Sequence, residues 1–374
     1  WVVFEQVKIP YDALLDHYCE VTPDGQYVGK NGHNTRHATR LLYQLMENFK
    51  RGRQIISIAS SAGFRMLAQV FFCQPPSWMT TEEHEQFLLK LVACSYALER
   101  AMPMYLSEET VEDHIPASGM KAISSWMMMW AMDDMLNKYG DHPEFPELVH
   151  QLRNYSIDHW PTSIYEGPND VLLQLVARDL AQRFVMNPPE WFVDFDQRGE
   201  LDAMQEEEWL LSIPNICERA IAALRQRAYR AWSAIKPIML PYVMDPSKRA
   251  QLQDVWMSEC SAMGKDMALA FMQADIVAHF WHSALENGDS IEQSLATFYA
   301  EMVVGEIIPF ENPAVRGPQR HFPPQGGSYW PVPMTAHENA LRYQEEQDIL
   351  QFLPDLIARN GIPMEYLQHM LPRQ

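Results

Sequence analysis

The chain has 374 residues, 47% hydrophobic and 21% charged, a globular composition that allows two or three domains and excludes a disordered chain. Asp and Glu number 49 against 29 Lys and Arg, and a net charge of −20 argues against nucleic-acid or anionic-membrane binding as a first expectation. Cys19, Cys73, Cys94, Cys217 and Cys260 are odd in number, widely spaced and without a C-x-x-C, so they read as buried free thiols rather than a disulfide framework or zinc ribbon.

The chain opens at Trp1 on WVVFEQVKIP, which reads as a strand already in progress, and we expect a fragment, a processed product or part of a longer polypeptide. Pro10 stops that strand, and residues 11–35, with Pro23, Asp24-Gly25 and Asn31-Gly32, read as turns and loop. From about Arg36 the apolar spacing becomes helical. Pro75-Pro76 ends the first helix; further helices are expected over Glu82 to Met102, from near Ser118, over Pro146 to Tyr155, and from Pro168 as first helical residue to Val185. Together they predict an antiparallel bundle over 36–187. Pro188-Pro189 marks a boundary, with 186–202 as a hinge. A second helical domain fills 188–374, with helices over 203–235, 247–285 and 290–305, the last opened by a Ser290/Gln293 capping box. Seven prolines make 309–333 an extended connection, and Thr335 with Glu338 caps a last helix that ends near Asn360-Gly361. No apolar run approaches the ~20 residues of a membrane span; the most apolar, Ile123 to Met132, is half that.

Several patterns have bland readings. His33/His37 and His279/His282 have helical spacing but no third ligand, which argues against a metal site. Met127 to Met129 read as core, and Glu206 to Glu208 and the acidic residues around His84 as solvated helix starts. No dinucleotide loop, phosphate loop or nucleophile elbow is present. One segment stands apart: Ser163-Ile-Tyr-Glu-Gly-Pro-Asn-Asp-Val-Leu-Leu-Gln-Leu-Val-Ala-Arg178. Glu166 sits on a short turn before a helix, flanked by apolar and aromatic residues. Desolvation favours the neutral form of a carboxyl group there and the helix dipole its charged form, so Glu166 reads either as a general base or as a helix cap.

That segment resembles the Y-E-G…N-x-V-L-L-Q-x-x-A-R signature of the acyl-CoA oxidases, relatives of the acyl-CoA dehydrogenases. FEQVKIPYDALLDHYCEVTPDGQYV resembles the last strand of the family's middle β domain with its following loop, KRGRQIISIASSAG (with Arg53) its first long helix, and ASGMKAISSW its S-S-G-x-K-A helix start. The resemblance implies a mostly α fold: a dehydrogenase-like C-terminal bundle (36–187), a second oxidase-type helical domain (188–374) and a short N-terminal β remnant (1–35). It implies an FAD enzyme that converts a fatty acyl-CoA to trans-2-enoyl-CoA in fatty acid β-oxidation, with Glu166 as base. Gly140, His142, Tyr165, Gly167, Pro168 and Asn169 would contact FAD; Arg53, Tyr165, Gly167 and Arg178 would serve the acyl-CoA. A homodimer or hetero-oligomer is implied, with the family's N-terminal half in a separate chain or in the rest of a longer one. The compartment is a peroxisome or mitochondrion in a eukaryote, cytoplasm in a bacterium; the terminal LPRQ is not a peroxisomal S-K-L.

Departures from the family pattern open a second reading. FFCQPPSWMTTEEHE replaces the R-x-Q-F-G segment that reaches a neighbouring subunit's FAD. KYGDHPEFPELVH replaces the G-G-H-G-Y loop, with Gly140 and His142 as remnants, and Pro168 stands where a hydroxyl residue commonly helps bind FAD. A base with degenerate flavin contacts fits either an oxidase or dehydrogenase, or a non-catalytic subunit that kept its bundle for assembly.

Overall fold

The computed structural model describes residues 19–21, 27–29, 38–106, 115–140, 144–199, 203–304 and 349–359. The chain divides into two units, Trp1–Gly52 and Arg53–Gln374. In the first, β1 (Cys19–Val21) pairs antiparallel with β2 (Tyr27–Gly29), Cys19 opposite Gly29 and Val21 opposite Tyr27. The reading of 11–35 as turns and loop throughout is corrected here: two short β-prone runs around Asp24-Gly25 have hairpin chemistry. The expected opening strand, the proline-rich 309–333 and the Thr335/Glu338 cap lie outside the described residues.

Helix α1 (Ala38–Cys73) crosses the junction of the units. The second unit continues with α2 (Thr81–Leu106), α3 (Ile115–Tyr139), α4 (Pro146–His159), a 3₁₀ turn (Trp160–Ser163) and α5 (Asn169–Met186). Then come α6 (Glu190–Arg198), α7 (Ala203–Leu211) and α8 (Ile216–Met244). A 3₁₀ turn (Pro246–Gln251), α9 (Leu252–Val255) and a π segment (Trp256–Cys260) lead into α10 (Ser261–Asn287) and α11 (Ser290–Val304), and residues 349–359 form α12.

The centre of the unit is α10, which packs on α8 and also on α2, α3, α5 and α11, so helices from before and after Pro188 share one core. Close approach depends on Gly264, where a Cβ would stand 2.9 Å from the Trp256 ring and 3.2 Å from Ala177. Helix α3 is buried on nearly every side, including Met127, Met128 and Met129, as its lack of a polar stripe dictates. Polar ties join the rim: Arg100 of α2 forks onto Glu292 of α11 (3.2 and 2.5 Å), and Tyr96 donates to Leu356 O (3.2 Å).

Other expectations change in detail. Residues 186–202 hold α6 instead of a hinge, because Phe192 and Phe195 sit one turn apart and bury against the core, Phe192 stacking on Phe184 at 4.6 Å. The helix expected over 203–235 breaks before Asn215, which caps α8 by accepting from Glu218 N–H (3.0 Å). Asp289, not Ser290, caps α11, accepting from Ile291 and Glu292 N–H (2.9 and 3.3 Å), while Ser290 is already helical. Cys94, Cys217 and Cys260 are buried free thiols, but Cys73 is exposed at the end of α1. By length and composition Phe49–Cys73 qualifies as a membrane-crossing segment, against expectation, but most of its hydrophobic window is buried inside the protein.

Candidate active site

Local hydrogen bonds build a tight turn between Ser163 and α5: Ile164 and Tyr165 N–H donate to Pro161 O (2.9 and 2.8 Å), and Gly167 N–H donates to Ile164 O (3.2 Å). Within it Glu166 has φ 59°, the one left-handed non-glycine among the described residues, and Gly167 follows at φ 110°. The left-handed conformation costs a residue with a Cβ about 1–2 kcal/mol, so it persists only where its surroundings hold it.

Two buried cations hold it by receiving successive carbonyl groups. Arg53 of α1 donates Nε–H to Glu166 O (3.0 Å) and Nη1–H to Ser118 Oγ (3.1 Å). Lys121 of α3 donates from Nζ to Gly167 O (2.8 Å) and to Asn169 Oδ1 (2.7 Å). Asn169 in turn donates Nδ2–H to Ala122 O (3.2 Å) and Ser125 Oγ (2.8 Å), which locks the first turn of α5 onto α3.

Arg53 is 1% exposed and Lys121 0%. Burial, and then the repulsion of Arg53, push the Lys121 ammonium down to about 7, with Glu166 pulling the other way. Burial likewise lowers Arg53, opposed by Glu166. The Glu166 carboxylate is thus the counter-charge of both cations. The residue is half-buried, and its Oε2 is shut off from solvent and accepts no hydrogen bond among the described residues. Behind the cluster lies His159, 5% exposed with no partner on Nε2; burial pushes it down to about 4, against its hydrogen bond to the Ser125 backbone.

Of the residues singled out in the sequence, the fold brings Glu166, Gly167, Asn169 and Arg53 together. Arg53 turns inward to the Glu166 carbonyl and Ser118, and Asn169 spends its side chain on α3. Tyr165, 62% exposed, stands beside Glu166 on the surface. Pro168 is exposed and is the N-cap of α5, not its first helical residue. Arg178 is exposed, roughly two and a half turns along α5. Gly140 ends α3 roughly 28 Å along the axis from Lys121 and does not join the cluster. His142 lies outside the described residues, as do His33 and His37.

The sequence reading assigned no role to Ser118, Lys121, Ser125 or His159. A signal existed for Lys121: it is the sole charge between Ile115 and Asp133 in a helix with no polar face. The other patterns are structural. His84 stacks on Phe71 and bonds to its carbonyl (3.0 Å), Thr80 and Glu83 form a capping box, and Glu206 pairs with Arg230 (2.5 Å). Among the described residues no three His, Cys, Asp or Glu gather as a metal site.

No protein-family model matches the chain. It is 27% identical over 206 residues to acyl-coenzyme A oxidase 3, peroxisomal, of Arabidopsis thaliana, a match that takes in 49% of this chain and 29% of that protein. It is 24% identical over 204 residues to the acyl-coenzyme A oxidase-like protein of Mus musculus, covering 49% of this chain and 32% of the relative. The fold of acyl-CoA oxidase 1 from Arabidopsis thaliana matches 98% of the chain at TM-score 0.60 and 17% identity, using 56% of that structure.

The chain is similar in sequence to acyl-CoA oxidases over about half of its length. Its fold is that of their helical C-terminal domains. Acyl-CoA oxidase-1 of Caenorhabditis elegans, complexed with FAD and ATP, matches 95% of the chain at TM-score 0.61 and 14% identity, using 53% of its own length. The chain therefore spans about half the length of the solved oxidases and about a third of the curated relatives it matches.

Proposed function

We propose that this chain is the C-terminal part of a flavin-dependent acyl-CoA oxidase or dehydrogenase, with Glu166 as the base that removes the α-proton of a fatty acyl-CoA thioester on the way to trans-2-enoyl-CoA. One observation carries the reading: Glu166 is held in a strained left-handed turn between two buried cations, and its Oε2 accepts no hydrogen bond among the described residues. A helix cap would spend that oxygen on an amide; a base keeps it. In the step, the α-C–H bond breaks, its electron pair stays on carbon and the proton passes to Oε2. Arg53 and Lys121 take no part in bond changes; they fix the successive carbonyls of Glu166 and Gly167 and so the direction of the carboxyl group.

FAD, bound by the Caenorhabditis elegans relative, supplies the acceptor for the β-hydrogen when it is present. The described residues that fit it are few: the exposed ring of Tyr165 is one, whereas the side of Gly167 where a Cβ would stand is filled by Leu172 (3.0 Å). The Asn169 side chain is committed to α3 and Pro168 has no amide hydrogen, so neither that side chain nor the proline offers a donor. Residues 1–35 would complete the middle β domain, 36–187 and 188–374 would form the two helical domains, and most flavin contacts would come from the family's N-terminal half or from a partner subunit.

Those missing donors favour a second reading: a non-catalytic family member that serves as an assembly subunit. An absorbance scan of the purified protein separates the two. Flavin bands near ~370 and ~450 nm, with turnover of acyl-CoA that Glu166→Gln abolishes, support the enzyme. A colourless protein whose assembly is indifferent to Glu166→Gln supports the subunit.

A further inference from the structure

Three places deserve weight. A cavity of about 250 Å³ between α6, α7, α8 and α10 has Arg198 over Trp209 (4.2 Å) and Arg225 over Trp191 (5.6 Å), but Asp194 and Glu218 line it too, so no ligand charge is favoured. The exposed Leu240, Val243 and Met244 near the end of α8 form an apolar strip with nothing to name its occupant. The buried Lys121 is different, because its partners and their geometry state what it does.

Lys121 reaches across from α3 to two points that bracket Pro168: Gly167 O at 2.8 Å and Asn169 Oδ1 at 2.7 Å. The first is the carbonyl that follows the left-handed Glu166; the second belongs to the first residue of α5. Asn169 is itself fixed by Ala122 O and Ser125 Oγ, one and four residues along α3 from the lysine. The result is a closed loop of hydrogen bonds, α3 to turn to α5 and back to α3, with Pro168 locked in the middle. Arg53 holds the preceding carbonyl independently, through Ser118. An uncharged side chain of similar length would pack in the same space, so filling the core does not require an ammonium there, and burying one is costly.

We propose that Lys121 is a positioning residue for Glu166, which acts with Asn169 as one unit to keep the Ile164–Asn169 turn in the conformation that presents the carboxyl group. The proposal rests on the reading of Glu166 as the base for its effect on turnover, but not for its effect on the turn.

The test uses Lys121→Met, Asn169→Leu and the double variant in the full chain, with amide hydrogen exchange followed in peptides across 163–170, α3 and α5. Each single variant breaks the shared Lys121–Asn169 bond and is expected to speed exchange in 163–170 at least about tenfold, and the double variant no more than the larger single. Exchange over 126–136 and 175–184 stays slow. If Lys121→Met does not fold, Asn169→Leu alone must still loosen the turn. Unchanged exchange in the turn, strictly additive effects, or equal loosening of α3 and α5 overturns the proposal. In the flavin-loaded protein, Lys121→Met is expected to lower kcat about tenfold with little change in KM, as for an interaction felt at the reacting atoms alone. Glu166→Gln serves as the reference. If Glu166→Gln abolishes turnover while Lys121→Met leaves kcat unchanged, the positioning role fails and the base stands. If Glu166→Gln keeps full turnover, the base fails, and the exchange data still decide whether Lys121 holds the turn.

Discussion

The two ends of α5 differ in kind. At its first turn, Glu166 is left-handed, Arg53 and Lys121 are buried cations, and Glu166 Oε2 and His159 Nε2 have no hydrogen-bond partner among the described residues. At its last turn, Phe184 stacks on Phe192 (4.6 Å) and meets Trp191 and Trp232 edge-on (5.7 and 6.2 Å), and Phe192 meets Tyr229 (5.1 Å). The aromatic end gains free energy by burial and satisfies its geometry; the charged end is strained and under-bonded. One rigid helix joins them, so stability generated among apolar rings is available to hold an unfavourable arrangement of polar groups some five turns away. A site that must keep a lone pair unspent needs such a neighbour.

Four substitutions sharpen this contrast. The largest effect belongs to the charged end: Glu166→Gln is expected to lower acyl-CoA turnover at least about 10²–10⁴-fold with no loss of melting temperature, measured by enoyl-CoA formation and calorimetry. A large fall in melting temperature would mean that Glu166 is a cap. At the aromatic end the sign reverses. Trp232→Ala, at 5% exposure, is expected to cost about 3–5 kcal/mol in urea unfolding and to leave the exchange pattern of the Glu166 turn intact.

His159 gives the contrast a pH axis. Its folded-state value of about 4 lies below the ordinary 6.5, so the unfolded chain takes up the proton first. The stability is therefore fully present above pH 6.5 and is lost as pH falls toward 4, by up to about 3 kcal/mol. His159→Gln should flatten that limb when urea midpoints at pH 7 and pH 4.5 are compared; an unchanged slope would show that the ring is charged in the fold. The smallest effect is expected at a site remote from both ends: Asp289→Ala removes the cap of α11 and costs about 1 kcal/mol.

Legibility followed the range of the interactions. Helices α2 to α5 were readable because apolar spacing, Pro75-Pro76 and Pro146 act within a few residues. Helix α6 was missed because two prolines and a charged stretch look like a linker until Phe192 finds the ring of Phe184 and Phe195 those of Trp209 and Tyr229. Asp289 lost to Ser290 in the reading because both can cap, and only the backbone conformation of the following turn chooses between them. Glu166 was legible through its neighbours Tyr165, Gly167 and Asn169. Arg53 was noticed for a substrate role, and the fold turns it inward instead.

By itself the sequence determined the helical class, the punctuation of most helices, and the turn that carries Glu166, because propensity, periodicity and glycine's freedom are local properties. Only the tertiary structure decided that Lys121, 46 positions away, would meet Gly167, and that Asn169 would face α3 rather than a cofactor. No pattern along the chain encodes those meetings. They follow from burying α3 on nearly every side, which leaves the Lys121 ammonium no solvent and only the oxygens of the turn and of Asn169 to bond.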